Sequence, residues 1–394
     1  MGRAEATAAS SRGAARPLRL LIVAHSMEHG GAEHSLLGLL ERLDRTAFDC
    51  LLAAPDGPML ERYLGCCRPA VVLAQGYVPL TFHILAYARA FYATVVNTVT
   101  LCRYIRRHPV DLVLTNTGVV LHGPLAARFT GVAGVTMMRE IVSPRIVRTA
   151  LSRLLLGLNR LIIANSRAIV SAVGGQRSGK LLVVHGGVEV DGDRPVPASA
   201  GPLTALAARG PLIGIIGTVH PIKGHDAFLR MAAVAARRLP TAMFVIIGGY
   251  DERSRYYHRL IRLRRELGLD DRVVFTGLLD QIPAAIDQLA VLVIASSTES
   301  FPRVALEAMA AGRPVAAFDV GGLSDLIQDG LTGRLIRYGD VDAMAEAVCR
   351  LIEEPREAAR LGAEGRARVR RSFQLGQYVS RVEAVLRGVR TAEG

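Results

Sequence analysis

The stretch Ala295-Ser-Ser-Thr-Glu299-Ser300-Phe301-Pro302-Arg303-Val304-Ala305-Leu306-Glu307-Ala308-Met309 determines the predicted fold. The apolar run 291–294 before it has the length and β-branching of a buried parallel strand. A helix is predicted from Arg303, because Pro302 suits a helix entrance and Gly312 followed by Pro314 ends the helix. This region therefore predicts a strand, a short loop and a helix start.

The same stretch carries two carboxylates, Glu299 in the predicted loop and Glu307 about one turn into the predicted helix. Free backbone N–H groups at such a helix start attract anions. Carboxylates beside an anion site fit a ligand that offers both phosphate and hydroxyl groups, as a nucleotide sugar does.

Short β-rich runs alternate with helical patterns along the chain, which predicts α/β domains with parallel, doubly wound sheets. The alternation occurs twice, on either side of a Pro-, Gly- and Ala-rich segment. Ligands of such sheets bind at the carboxyl ends of the strands, so two facing domains predict a site in the cleft between them. The predicted units are a disordered leader (1–17), an N-terminal acceptor-side domain (18–195), a linker (196–211), a C-terminal nucleotide-binding domain (212–372) and a terminal helix (373–394) that packs back toward the N-terminal domain.

Composition narrows the functional classes. Half of the 394 residues are hydrophobic, which is enough for two cores. The formal charge is +13, of which residues 1–200 carry +9 (22 basic against 13 acidic residues). A basic N-terminal half fits an anionic lipid or a phosphorylated acceptor, and it equally fits an ordinary solvated surface. Nucleic acid is not predicted, because no basic segment is interleaved with aromatic residues.

Cysteine spacing and apolar runs predict a cytoplasmic protein. The five cysteines form no CxxC pair, so neither a disulfide framework nor a metal site is expected. Residues 1–17 lack the apolar core of a signal peptide, and the uncharged run 69–88 is interrupted by Gly76 and Pro79. Residues 145–160 predict a basic amphipathic helix, which fits either an anionic membrane at the inner face or an ordinary packed helix. Its arginines are Arg145, Arg148, Arg153 and Arg160, and its leucines are Leu151, Leu154, Leu155 and Leu158.

A second loop, Gly217-Thr-Val-His-Pro-Ile-Lys223-Gly-His225, follows the first strand of the C-terminal half. A lysine at a helix start can neutralise a diphosphate as a point charge. Both this loop and the Glu299 loop follow parallel strands, so we expect them to be neighbours. Gly249 and Gly277 also follow strands, and they are either turn formers or points where a nucleotide approaches the backbone.

Signals in the N-terminal half are weaker. Gly30 and Gly31 form a glycine loop without a complete GxGxxG pattern. His122 fits either a structural hydrogen-bonding role or a catalytic one, and Arg139 fits either a simple ion pair with Glu140 or a site residue. No Ser/His/Asp set, metal cluster or P-loop occurs in the sequence.

Together the motifs resemble glycosyltransferase family 4, the group 1 retaining enzymes with the GT-B fold, over about residues 18–385. Glu299 and Glu307 have the E-x7-E spacing of that family. The supporting motifs, in the family order, are GGAE (30–33), NSR (165–167), HGGVEV (185–190), IGTVHPIKG (216–224), FVIIGG (244–249), VVFTGLLD (273–280), AAGRPV (310–315), GG (321–322) and DGLTGRLI (329–336). The resemblance implies two Rossmann-like doubly wound parallel-sheet domains that face an inter-domain cleft.

The resemblance also implies roles for individual residues. Glu299 would contact the donor sugar, Glu307 the ribose hydroxyls and Lys223 the leaving diphosphate. The other donor-binding residues would be Gly217, Thr218, Gly249, Gly277, Leu278, Ser300, Phe301, Pro302, Arg303 and Val304. The loop that closes over phosphates or acceptor would contain Gly30, Gly31 and Glu33, with Arg139 beside it.

Two positions depart from the family pattern. Thr218 stands where an arginine is common, which removes one cation from the diphosphate unless His220 or Arg303 replaces it. Asn116 stands where a histidine is common, and its amide cannot act as an acid or base near pH 7. Asn116 and His122 are both retained as catalytic candidates.

The predicted function is therefore transfer of a sugar, with retention, from a nucleotide-diphosphate sugar to a hydroxyl of a polysaccharide, lipid carrier or small metabolite. No cofactor or metal is expected. Two alternatives stay open, a nucleotide-sugar-binding protein with a decayed catalytic site and a GT-B epimerase.

Overall fold

The computed structural model describes residues 16–75, 84–174, 179–190 and 203–391. The elements of the first half are β1 (Leu18–Val23), α1 (Gly31–Arg42), β2 (Phe48–Ala54), α2 (Leu60–Leu64), β3 (Arg68–Val72), α3 (Ile84–Arg107), β4 (Leu112–Thr115), α4 (His122–Thr130), β5 (Ala133–Met138), α5 (Arg145–Leu158), β6 (Leu161–Ala164), α6 (Arg167–Val173) and β7 (Leu181–Val183).

The elements of the second half are α7 (Thr204–Ala207), β8 (Leu212–Ile216), a 3-10 turn (Pro221–Lys223), α8 (His225–Arg238), β9 (Met243–Ile247), α9 (Arg255–Glu266), β10 (Val273–Gly277), α10 (Ile282–Gln288), β11 (Leu289–Ile294), α11 (Arg303–Ala310), β12 (Val315–Phe318), α12 (Leu323–Leu326), β13 (Arg334–Ile336), α13 (Val341–Glu353), α14 (Pro355–Ser372) and α15 (Leu375–Thr391). The predicted leader lies outside the described residues except for Arg16 and Pro17, and the linker does so except for 203–211, where α7 forms.

The described strands form two parallel sheets, which confirms the predicted pair of doubly wound domains. The seven-stranded sheet has the order β3-β2-β1-β4-β5-β6-β7, and the six-stranded sheet has the order β10-β9-β8-β11-β12-β13. The strand order reverses between β1 and β4 in the first sheet and between β8 and β11 in the second. A crevice opens beyond the strands at each reversal, because the two following loops turn to opposite faces of the sheet.

The last helix packs on the first half. Tyr378, Val382 and Leu386 of α15 are buried in one apolar cluster with Leu36 and Leu40 of α1. The chain returns there through a short parallel bridge, in which the Val188 N–H donates to the Phe373 carbonyl at 3.0 Å and the Leu375 N–H donates to the Val188 carbonyl at 3.0 Å. The exact boundaries of the domains and linker stay predictions.

The helix predicted at 145–160 is present as α5. Leu151 and Leu155 are buried in an apolar cluster with Ile162, whereas Leu154 is 43% exposed. Much of its leucine face is therefore already covered by the domain. Among the helices that the structure describes, none is long and apolar enough to cross a bilayer.

Candidate functional site

The second crevice brings Lys223 and Glu299 together. The Lys223 Nζ lies 2.7 Å from the Glu299 Oε1, and the Ser296 hydroxyl donates to the same oxygen at 2.7 Å. The two loops meet because β8 and β11 are adjacent strands, and the Ser297 N–H donates to the Ile222 carbonyl at 2.9 Å. The Lys223 side chain is one-third exposed, so its charge faces the crevice.

The backbone around Glu299 is seated on a pair of glycines. Gly321 has φ +57°, and a Cβ there would lie 1.8 Å from the Glu299 carbonyl oxygen. The Gly322 N–H donates to that carbonyl at 2.8 Å. Only glycine allows this approach, so the pair fixes the loop that carries the carboxylate.

The start of α11 carries a second cation–carboxylate pair. The Arg303 Nε donates to the Glu307 Oε1 at 2.6 Å, as the i, i+4 spacing permits. Both residues line a cavity of about 470 Å³ between the two halves of the chain, which α1 closes from the other side with His34. Burial, and after it the Arg303 charge, lowers the pKa of His34 to about 4.

A further group of donor candidates lies at the carboxyl ends of β8, β9 and β10. The Val219 N–H, next to Thr218, donates to the Gly249 carbonyl at 2.9 Å, and Gly249 packs against Leu278. The Leu278 side chain is 74% exposed, beside Gly277 with φ +74°. An open apolar surface therefore lies beside the loop that follows β8.

Neither His220 nor Arg303 replaces the arginine that the family commonly has where this chain has Thr218. The His220 Nδ1 accepts from the Ile222 N–H at 3.3 Å and so caps the short turn before Lys223. Arg303 is engaged with Glu307. Lys223 is therefore the cation that the described loops aim at the Glu299 crevice.

Two motifs of the first half contact the acidic motif directly. The Asn165 amide lies 3.5 Å from the Ser300 hydroxyl, and the Arg167 N–H donates to the Asp325 carboxylate at 2.6 Å. The His185 Nε2 lies 3.2 Å from the same carboxylate, and its ring packs on Phe301 at 5.2 Å between centroids. These contacts hold the Glu299 loop against the N-terminal half, so the two crevices face one cleft.

The first crevice begins at the glycine loop after β1. Gly30 precedes α1, and the buried Glu33 carboxylate lies 3.5 Å from the His25 Nε2. Burial raises the pKa of Glu33 and lowers that of His25 to about 4. Gly31 is exposed and has open space around it.

Arg139 lies at the end of β5 with only 9% exposure. Its guanidinium donates to the Asn116 Oδ1 at 3.0 Å, to the Ser35 hydroxyl at 2.8 Å and to the Tyr378 hydroxyl at 3.2 Å. Neutral groups thus fix its position, and no carboxylate of the described residues lies within ion-pair distance of it. The ion pair with Glu140 that the sequence left open does not form, because the Glu140 carboxylate instead accepts from the Thr117 hydroxyl at 2.6 Å.

His122 and Asn116 are almost fully buried at this edge of the sheet. His122 is the first residue of α4. Both of its ring nitrogens, and the Asn116 Nδ2, lack a hydrogen-bond partner among the described residues. Burial, with a smaller effect of His25, lowers the pKa of His122 to about 4, so the imidazole is neutral near pH 7. Buried polar atoms without hydrogen-bond partners are expected in a binding site, where the ligand forms the missing hydrogen bonds.

Burial of neutral histidines predicts acid sensitivity. The folded pKa of His122 is about 4, against about 6.5 in the unfolded chain, so stability present above pH 6.5 is lost as the pH falls toward 4. At pH 5 we expect this residue to lower the unfolding free energy by about 2 kcal/mol. Urea denaturation at pH 7 and pH 5 should show that the unfolding free energy of His122→Gln falls by about 2 kcal/mol less than that of the wild type. An identical pH dependence in both proteins would contradict this.

The sequence-predicted residues thus form two groups. Lys223 with Glu299, Arg303 with Glu307, and Gly249 with Leu278 surround the second crevice, while Asn116 with Arg139 and Glu33 with His25 belong to the first. No hydrogen bond or ion pair within the described ranges joins His122 or Asn116 to Glu299 or Lys223. Their functional roles stay predictions. Across the described residues, no group of three His, Cys, Asp or Glu side chains is arranged to hold a metal ion.

Sequence reasoning missed three members of the site. Ser296 stands three residues before Glu299 at the end of the same strand, and that position is a usable signal. His34 lies on α1 and lines the same cavity as Arg303 and Glu307, so only the folded chain brings it to the site. Tyr378 contacts Arg139 across 239 residues of sequence, so no local pattern indicates it.

The fold by itself assigns a structural class. Two parallel α/β domains face each other, and each has a crevice at its strand reversal, as in the GT-B fold. Solved structures share it. The Anabaena protein HepE in complex with UDP-glucose aligns with a TM-score of 0.78 at 23% identity, covering 94% of this chain and 100% of that one. Sucrose-phosphate synthase from Thermosynechococcus elongatus aligns with a TM-score of 0.78 at 21% identity, covering 96% and 100%.

Sequence comparison finds a family match over part of the chain. Residues 210–354 match the family described as Glycosyl transferases group 1. This stretch is therefore similar to group 1 glycosyltransferases, in agreement with the motifs that lie within it.

Curated relatives agree over a similar extent. D-inositol 3-phosphate glycosyltransferase from Nocardia farcinica is 36% identical over 206 residues, covering 50% of this chain and 45% of the relative. The protein of that name from Mycolicibacterium paratuberculosis is 40% identical over 188 residues, covering 46% and 41%. Each match spans less than half of the relative's own length.

Proposed function

We propose that this protein is a retaining glycosyltransferase that moves a sugar from a nucleotide-diphosphate sugar to an acceptor hydroxyl. The observation that carries the proposal is the Lys223–Glu299 pair, which stands at the strand reversal of the C-terminal sheet beside the start of α11. Lys223 and the free N–H groups of the helix start would bind the diphosphate. Glu299 would accept hydroxyl hydrogens of the sugar, and Glu307 would bind the ribose.

Catalysis in this proposal rests on charge stabilisation. The sugar–phosphate bond breaks as negative charge develops on the departing diphosphate, and Lys223 stabilises that charge. The acceptor attacks from the side of the leaving group, and the leaving phosphate takes the acceptor proton. This route needs no protein base, which suits a first crevice where His122 is buried and has a lowered pKa.

The acceptor side favours an anionic acceptor. Arg139 is buried, held by neutral partners and not balanced by a directly bonded carboxylate in the described residues. A phosphate or carboxylate on the acceptor would supply that balance. The relatives named D-inositol 3-phosphate glycosyltransferase support phosphorylated polyols as the first acceptors to test.

Donor identity can be tested by thermal shift. A ligand that binds the folded state stabilises it by RT ln(1 + [L]/Kd), about 2.7 kcal/mol at one hundred times Kd. We expect one of the UDP-, GDP-, ADP- and dTDP-sugars to raise Tm clearly above the others, and UDP-sugars come first because HepE was solved with UDP-glucose. No stabilisation by any of the four classes would contradict the donor site.

Product analysis then separates the alternatives. Incubation of a stabilising donor with phosphorylated and neutral acceptors should give a new glycoside. Binding without transfer to any acceptor would instead indicate a decayed site, and conversion of the sugar without an acceptor would indicate an epimerase.

We also propose peripheral attachment to an anionic membrane at the inner face. The charge of +9 in residues 1–200 supports it. Because the attraction is largely electrostatic, wild-type protein should bind anionic vesicles at low salt and lose most of that binding at high salt. Absence of binding at low salt would overturn the attachment.

A further inference from the structure

Helix α3 keeps one long apolar face uncovered. Its members Phe91 and Tyr92 are 72% and 70% exposed, and Val95, Val96 and Val99 continue the face one and two turns further along the helix. Val72, 78% exposed, adds to it from β3, the edge strand on which α3 packs. Single exposed apolar side chains are ordinary, but a contiguous group of this kind marks an interaction surface. We call these six residues the α3 apolar face.

Folding of the domain does not need this face. The opposite side of the helix is already buried, with Leu101, Cys102 and Ile105 in the apolar cluster under the sheet. Asn97 on that side anchors the helix to the end of β3, because its amide exchanges hydrogen bonds with the Ala74 N–H and carbonyl at 3.0 and 2.8 Å.

The Asn97 anchor also fixes where the face lies. Ala74 stands just past the carboxyl end of β3, and α3 leads from that edge back to the start of β4, so its residues 84–96, about 20 Å of helix at 1.5 Å per residue, lie on the carboxyl-edge side of the anchor. The carboxyl edge is where Asn116 and Arg139 form the first crevice. Phe91, Tyr92 and Val95 therefore project on the same side of the domain as the proposed acceptor site.

The charges around the face have one sign. Between Glu61 and Asp111 the chain has six arginines and no acidic residue. Arg89 lies at the start of the face and Arg103, Arg106 and Arg107 at its end, and all four are exposed. An apolar centre between basic ends fits the headgroup layer of an anionic bilayer, where apolar side chains enter the acyl boundary and guanidinium groups meet lipid phosphates.

A second copy of the chain fits the face less well. A two-fold interface pairs the same patch on both copies. If the α3 helices of two copies paired antiparallel, Arg89 of each copy would face the Arg103–Arg107 end of the other. Any other two-fold pairing would place the same helix end of both copies side by side. Each arrangement brings cations onto cations, which a lipid surface avoids.

We propose that the α3 apolar face attaches the N-terminal half to an anionic bilayer and holds the first crevice at the membrane surface, where an amphiphilic acceptor would be reached. The acceptor part of this inference rests on the proposed function. The attachment itself does not, because it can be measured without donor or acceptor.

The test is flotation of the full chain with phosphatidylcholine vesicles that contain about 30% phosphatidylglycerol, with pure phosphatidylcholine vesicles for comparison. Phe91→Ser/Val95→Ser should lower the bound fraction at least ten-fold, because both side chains leave water on binding. Arg103→Gln/Arg106→Gln should weaken low-salt binding by about five-fold per arginine and leave the residual high-salt binding unchanged.

Helix α5 supplies the matched control. Ile146→Ser/Leu154→Ser also removes two exposed apolar side chains from a basic helix of the same half, at 83% and 43% exposure, and should bind vesicles as wild type does. Equal binding by the Phe91/Val95 variant, or loss of binding in the α5 variant alone, would overturn the assignment to α3. A wild-type dimer that dissociates in the Phe91/Val95 variant without any vesicle binding would overturn it in favour of a second copy.

Donor-induced Tm shifts measured on the same samples distinguish the two proposals. A wild-type chain that floats with anionic vesicles but is stabilised by no nucleotide sugar contradicts the proposed function and supports the membrane face. A chain that binds donor but not anionic vesicles contradicts membrane attachment and leaves the proposed sugar transfer intact.

Discussion

Replacing Glu299 with glutamine should lower kcat/KM for sugar transfer by about 10³-fold, which corresponds to about 4 kcal/mol of lost transition-state stabilisation. The Glu299 carboxylate is one-tenth exposed and accepts from both Lys223 and Ser296. Glutamine has the same shape, but it presents an amide to at least one of these donors or to the sugar. It also leaves Lys223 without its counter-charge, so the cation no longer has a fixed position.

The Glu299→Gln protein should fold. Its carboxylate lies at the crevice rather than in an apolar cluster, and loss of a partly exposed ion pair costs about 1 kcal/mol. Glu353→Gln is a matched control, because it breaks an exposed carboxylate–arginine pair with Arg238 far along the chain. Transfer assays and urea denaturation should show a normal control and an inactive, folded Glu299→Gln. Normal turnover of folded Glu299→Gln would refute the assigned role.

Replacing Lys223 with methionine should lower kcat by about 10²- to 10³-fold and weaken donor binding about ten-fold. The methionine keeps the length of the side chain and removes the charge that stabilises the leaving diphosphate. The effect should be large here because Thr218 supplies no second cation and His220 caps a turn. Calorimetry measures the loss of donor affinity, and single-turnover rates measure the loss in the chemical step.

The chain offers a simple control for this substitution, because Lys180 is its only other lysine. Lys180 donates to the carbonyls of Leu156 and Asn159 in the N-terminal half. Lys180→Met should bind donor with wild-type affinity. Equal loss of donor affinity in both variants, or unchanged kcat in Lys223→Met, would show that the cation does not act on the diphosphate.

The sequence predicts most of the second crevice. Glu299 and Lys223 each stand in a loop directly after an apolar strand, and strands that alternate with helices place such loops at one edge of a parallel sheet. Their pairing then depends only on β8 and β11 being neighbours. The Arg303–Glu307 pair has i, i+4 spacing, so the sequence also contains the signal for it.

The first crevice and the surfaces are less predictable, because they depend on contacts between distant segments. Arg139 takes its position from Tyr378 on the last helix and Ser35 on the first. An amphipathic pattern shows that a helix has an apolar side but not what covers it. Helix α5 has the more obvious pattern, yet Leu151 and Leu155 are buried, while Phe91 and Tyr92 of α3 remain in solvent.

The most direct test of the central claim is the anomeric configuration of the first-formed product, followed by proton NMR in parallel reactions of wild type and Glu299→Gln with the stabilising donor and a phosphorylated polyol. A retaining transferase predicts that the wild type releases nucleoside diphosphate and forms a glycoside with the configuration of the donor, and that Glu299→Gln forms almost none. A product of inverted configuration, or equal product from both proteins, would contradict it.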